Sequence, residues 1–169
     1  MKGGVKLQEI NDKDCFDEIY KKYVATVYRV CFLMLKNSHD AEDTVQTVFT
    51  KFIEKSPPIY TEEQIKAWLI VTAKNTCKNH LKYWWNKERT EFPTEYITKG
   101  ESNENSIVLE SVLSLNPKFK LPIYLYYFEG YKTKEIAKLL GINESTLRSR
   151  LKFGREKLKL LIGGDEDYE

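Results

Sequence analysis

The run TKEIAKLLGINESTLRSRL, from Thr133 to Leu151, decides how the rest of the chain is read. Ile136, Leu140, Ile142 and Leu147 are spaced to fill a small core between two crossed helices. Ala137 is small where the second helix must come close. Gly141 falls at the turn, where a left-handed backbone is required and glycine adopts it freely. Asn143 or Ser145 can cap the second helix. That helix, over about 143–160, then turns Arg148, Ser149, Lys152 and Arg155 outward. A helix-turn-helix with a basic outer face suits a major groove, where long donors reach base edges or phosphates. An αα-hairpin in a ligand-free bundle has the same apolar spacing but no need for the cations. Gly154, inside the helix, costs about 1 kcal/mol relative to alanine and marks either a close approach or a weak spot.

Upstream, the pattern stays helical. Val108, Val112, Leu113 and Leu115 make one short helix, and Pro117 opens another over 117–128, with Leu121, Leu125 and Phe128 as its core edge. Glu129-Gly130 ends it, with the glycine as C-cap. Periodicity is lost over 86–106, a polar stretch with Pro93, Gly100 and mixed charges. Before it stand three longer helices. The first carries an apolar stripe from Phe16 through Ile19, Tyr20, Tyr23, Val24, Val27, Cys31 and Met34 to Leu35, with Asp12 or Asp14 to cap it. The second, over 39–55, buries Ala41, Val45, Val48, Phe49, Phe52 and Ile53, and Pro57-Pro58 stop it. The third runs from Glu62 to about Trp85, with Ile65, Trp68, Leu69, Thr72, Ala73, Cys77 and Leu81 inward. No segment alternates with a period of two, so no strand is predicted. The expected fold is all-α: a helical domain at 10–88, a flexible linker at 89–106, and a second small domain at 107–163 with the helix-turn-helix.

Charge is distributed unevenly along this plan. The 169 residues carry 27 Lys+Arg against 25 Asp+Glu, a net charge of only +2. Yet 66–89 holds six bases against one acid, and so does 145–160. Two basic helices in different domains suggest two contacts with a polyanion. In the third helix, Trp68, Tyr83, Trp84, Trp85 and the following Phe92 are interleaved with lysines, the pairing of rings and cations that unpaired bases favour. Trp68 also fits the apolar stripe; Trp84 and Trp85 cannot both face one core. Asn75 and Asn79 are placed to bond a base edge. The second helix differs: Asp40, Glu42, Asp43 and Gln46 share a polar face that fits a basic partner helix, or serves only as a solvated helix start.

Other functions are excluded by what is missing. Cys15, Cys31 and Cys77 are scattered and the only histidines are His39 and His80, so neither a disulfide framework nor a metal site is expected. No nucleophile, base and orienting group occur together, and no phosphate loop is present, so no catalytic residue and no cofactor are assigned. The first residues lack an apolar core and no run approaches about 18 apolar residues, which points to a cytoplasmic protein without membrane insertion.

Four segments, in order, resemble the bacterial RNA polymerase sigma factors of the extracytoplasmic-function (ECF) type. HDAEDTVQTVF at 39–49 is similar to their DAEDxVQxVF segment, and KAWLIVTAKNTCKNHL at 66–81 to their WLxxIAxNxxxxxL helix. LNPKFK at 115–120 with YYFEG at 126–130 resembles the start of their C-terminal domain, and 135–151 their helix-turn-helix. The resemblance covers about 12–162 and implies roles. Asp40, Glu42, Asp43 and Gln46 would dock core polymerase on the β′ clamp helices, with the β flap as a further contact. The loop after Lys55 and the helix bearing Asn75, Lys78, Lys74 and Lys82 would open and read the −10 element. Arg148, Ser149, Lys152, Phe153 and Arg155 would read the −35 element as duplex. Asn116 and Lys120 replace a frequent proline and arginine, and Phe153 stands where some members carry a base-contacting arginine. The chain ends soon after the second domain, so control by a separate anti-sigma factor is expected. The competing reading is a stand-alone helix-turn-helix regulator. It leaves the acidic face of the second helix and the aromatic, basic third helix unused.

Overall fold

The computed structural model describes residues 13–55, 57, 61–87 and 110–162. Among the described residues all regular structure is helical: α1 (Lys13–Leu35), α2 (Ser38–Lys55), α3 (Glu62–Lys87), a helical segment at 110–114, α4 (Pro117–Tyr127), α5 (Thr133–Leu140) and α6 (Glu144–Ile162). The chain divides into two compact units, Met1–Tyr96 and Ile97–Glu169. The expected cap at Asp12, the loop at 58–60, Phe92 and the 89–106 segment lie outside the description, as do the side chains of Asp14, Trp84 and Trp85.

In the first unit α1, α2 and α3 pack against one another around Val27, Val30, Cys31, Ala41, Val48, Phe52, Ala73 and Cys77, all fully buried. Lys36 reverses the chain after α1 with φ 55°, and the Asn37 Oδ1 then accepts the Asp40 N–H at 3.0 Å, capping α2. Thr61 and Gln64 make a reciprocal capping box for α3, with both bonds at 3.2 Å. The Trp68 ring meets Phe52 edge to face at 5.4 Å, which places it at the core rim. Ile53 is a correction: it is 49% exposed. It lies one residue, about 100° of helix, beyond Phe52 and rotates out of the buried face, which Thr44 completes instead. Cys31 and Cys77 bring their thiols into hydrogen-bond contact between α1 and α3; that bond and burial push the Cys77 thiol far up.

In the second unit the Asn116 side chain caps α4 by accepting the Lys118 N–H at 3.1 Å, and Pro117 fills the first helical position. Every residue from Phe119 to Leu125 is buried, Lys120 among them at 1% exposure. Phe128, expected at the core edge, is 65% exposed and lies stacked on Tyr124 outside the core. The expected glycine C-cap of α4 is also corrected. Phe128 is the capping residue, and Gly130 takes φ 71° two residues later, where Tyr131 N–H closes on the Leu125 carbonyl at 3.1 Å. Gly141 does cap α5 in the left-handed conformation, φ 67°. Gly154 marks a close approach. A Cβ built there would meet Ile123 Cγ1 at 3.1 Å and Cδ1 at 3.2 Å, so its missing side chain is what lets α6 lie against α4.

Candidate nucleic-acid interface

Asn143, rather than Ser145, caps the second helix of the motif: its Oδ1 accepts the Thr146 N–H at 2.8 Å. Ser145 supports the cap by donating its hydroxyl to the same oxygen at 2.9 Å. Beyond the cap, α6 exposes Arg148, Ser149, Lys152, Phe153 and Arg155. Arg148 and Arg155 are anchored differently. Arg148 Nη2 donates to Glu144 Oε1 one turn back at 2.8 Å, while Arg155 Nη1 donates to the Tyr127 hydroxyl of α4 at 3.4 Å. The Ser149 hydroxyl donates to the Ser145 carbonyl at 3.1 Å. The Phe153 ring is 52% exposed. The result is a cationic helix face with one aromatic ring on it and its most N-terminal arginine already oriented.

On α3, Asn75, Lys78 and Lys82 are exposed at spacings of three and four, so they form one stripe. Lys74 is half-buried beside it. Burial, and then the like charge of Lys78, hold the Lys74 ammonium below its ordinary range. A negative charge placed there would offset that repulsion. Lys51 of α2 donates to the Thr76 hydroxyl at 3.1 Å, fixing the two helices beside the stripe.

The acidic face of α2 divides in two. Glu42, Asp43 and Gln46 are exposed, and Gln46 lies between two shallow grooves. One runs along Asp43, Thr47, Thr50, Lys51 and Glu54; the other lies between α1 and α2, with Tyr20, Val24 and Tyr28 on its far wall. Asp40 turns the other way, towards α3, where its Oδ2 stands 3.6 Å from His80 Nε2. Asp43 Oδ2 lies 3.3 Å from His39 Nδ1. Sequence reasoning grouped all four residues; the structure brings three together outward and sets Asp40 at the α2–α3 seam. Tyr20, expected in the buried stripe of the first helix, is a correction: it is 38% exposed and lines the second groove. The pattern does not single out Tyr28; Glu144 has a signal, the acid four residues before Arg148.

The sigma-70 region 2 family model matches residues 19–86, and the sigma-70 region 4 model matches 106–158. The chain is 27% identical to the ECF RNA polymerase sigma factor SigW of Bacillus subtilis (strain 168), over 94% of this chain and 95% of that protein. It is 30% identical to the RNA polymerase sigma factor SigV of the same organism, over 73% of this chain and 76% of that one. The chain belongs to the ECF-type RNA polymerase sigma factors. Solved structures with the same fold include the sigma factor RpoE of Bartonella quintana, crystallised with the anti-sigma factor NepR. That match has a TM-score of 0.73 and 18% identity, over 89% of this chain and 98% of that one. CnrH, crystallised with the cytosolic domain of CnrY, matches with a TM-score of 0.65 and 15% identity, over 92% of both chains. As a sigma factor, the protein binds core RNA polymerase and directs promoter-specific initiation. Sigma factors as a class are not enzymes. No helix among the described residues is long and apolar enough to cross a membrane.

Proposed function

We propose that this sigma factor divides its work among three faces. Residues 10–88 form the domain that docks on polymerase and engages the −10 element, and 107–163 the domain that reads the −35 element, with 89–106 spanning between them. Glu42, Asp43 and Gln46, with Asp40 at the edge, meet the β′ clamp helices. Asn75, Lys74, Lys78 and Lys82 receive the separated −10 strand. Arg148, Ser149, Lys152, Phe153 and Arg155 enter the −35 major groove, and the β flap is a further contact of the second domain. The sigma factor supplies specificity and no catalytic group, acts in the cytoplasm, and is controlled by an anti-sigma protein; its solved relative RpoE was crystallised in complex with one.

One observation carries the reading. Two base-rich helix faces stand on two different units, and the acid-rich face stands on a separate helix of the first, so DNA and a basic protein surface can be held together. The test is run-off transcription with footprinting on promoters of the protein's own genome, using core polymerase and the full chain. Initiation should start at discrete sites and Arg148→Glu should weaken it through the −35 element, by about 1–3 kcal/mol of lost contact. If core plus protein initiates nowhere, the reading is wrong.

A further inference from the structure

Arg148 is not the first polar group of its helix face. Glu144 precedes it by four residues, and a single oxygen of its carboxylate, Oε1, accepts two bonds: Thr133 Oγ1 at 2.9 Å and Arg148 Nη2 at 2.8 Å. Thr133 is the first residue of α5 and Glu144 the first residue of α6, so this carboxylate joins the two helices of the motif where each begins. Its carboxyl is held below the ordinary range, first by Arg148 and then by Thr133, with Lys134 adding a weaker attraction.

We infer that Glu144 is a positioning residue for Arg148, and that the Thr133–Glu144–Arg148 chain sets a preference for guanine at one base pair of the −35 element. The inference rests on the reading of α6 as the −35 helix. A guanidinium is a planar fork with five donors. Engaging one terminal nitrogen with a held carboxylate restricts the swing of the fork and leaves its other donors to form the parallel pair that guanine O6 and N7 accept. An arginine left to swing can instead settle on the nearest phosphate, which carries no sequence information. Part of the ordering cost is met before DNA arrives, because Arg148 is already bonded although its side chain is 70% exposed. Thr133 makes the arrangement specific to the motif: without the bond from α5, Glu144 would be an ordinary flexible acid at a helix start.

The experiment uses holoenzyme reconstituted from core polymerase and the full chain, on a promoter whose −35 base pairs are varied one at a time. Arg148→Ala should flatten the preference at one G·C pair. Glu144→Ala should flatten the same pair by about tenfold, and Thr133→Val by less, while preferences at the other −35 positions stay as they are. Glu144→Gln, which keeps an acceptor at the site, should retain part of the preference, and circular dichroism should show all variants folded. Glu144 variants that scale transcription equally from every promoter would overturn the inference, since that is what a purely structural role predicts. So would a changed preference at a different base pair from Arg148, which would make Glu144 a direct reader. If Arg148→Ala alters no −35 preference, the reading of α6 fails and takes the inference with it. If Arg148 acts and Glu144 does not, the inference alone fails.

Discussion

Gly154 shows how much one missing methyl group decides. The space above its Cα is occupied by Ile123, itself 2% exposed within the core of that unit. Gly154→Val should therefore destabilise the second unit by about 1–3 kcal/mol, despite the better helix propensity of valine. All three tryptophans, at 68, 84 and 85, belong to the first unit. The variant should thus lower the unfolding midpoint seen by circular dichroism but not the one seen by tryptophan fluorescence. A second residue-scale prediction concerns Glu144, whose folded carboxyl is depressed by Arg148 and Thr133. A depressed acid contributes stability above its unfolded value, about 4.3, and loses it as pH falls through the lower folded value. Thermal melts of wild type and Glu144→Gln should differ near neutral pH and converge as pH drops below that range. At this scale the sequence is readable where chemistry is local. Asn143, Gly141 and Pro117 act within three or four residues of themselves, and each stands as its type suggests. Lys120 was not readable, because nothing adjacent in the chain tells a lysine that it will be buried.

At the scale of the element, periodicity located the helices to within one or two residues. The pattern predicts the second over 39–55 and it runs Ser38–Lys55; it predicts the fourth over 117–128 and that helix ends at Tyr127. Prolines and cap residues punctuate both. What periodicity does not give is the width of the buried face, since that depends on how closely the neighbours approach. Ile53 and Phe128 are both apolar residues just past such a face, and both are exposed. The same limit applies to the acid face of α2: a helical wheel groups Asp40 with Asp43, but only the packing of α3 brings His80 to Asp40. Asp43 is exposed and fills no part of the core. Asp43→Lys should therefore leave helicity and melting unchanged while weakening polymerase affinity about tenfold or more, since like charges placed face to face are costly. Titration of labelled core with the two proteins measures it. Unchanged affinity would remove Asp43 from the docking face.

For the whole molecule, a net charge of +2 conceals two strongly cationic faces, and only their separation along the chain reveals them. Promoter opening should be salt-sensitive in a way that can be apportioned. Lys78→Ala should weaken binding of the single-stranded −10 region whatever its sequence, and reduce the salt slope by about 0.7. Asn75→Ala should change base preference and leave the slope alone. Binding of fluorescent −10 strands by holoenzyme at several salt concentrations separates the two. The division into two units accords with the loss of periodicity around 86–106. The sulfur pair inside the first unit gives a way to watch that unit breathe. Cys31 and Cys77 are both fully buried, and the bond to Cys31 together with burial pushes the Cys77 thiol up, whereas Cys15 is half-exposed. An alkylating reagent would thus mark Cys15 promptly and reach the inner two only as often as α1 parts from α3, making their rate of modification a clock for opening, with and without polymerase bound.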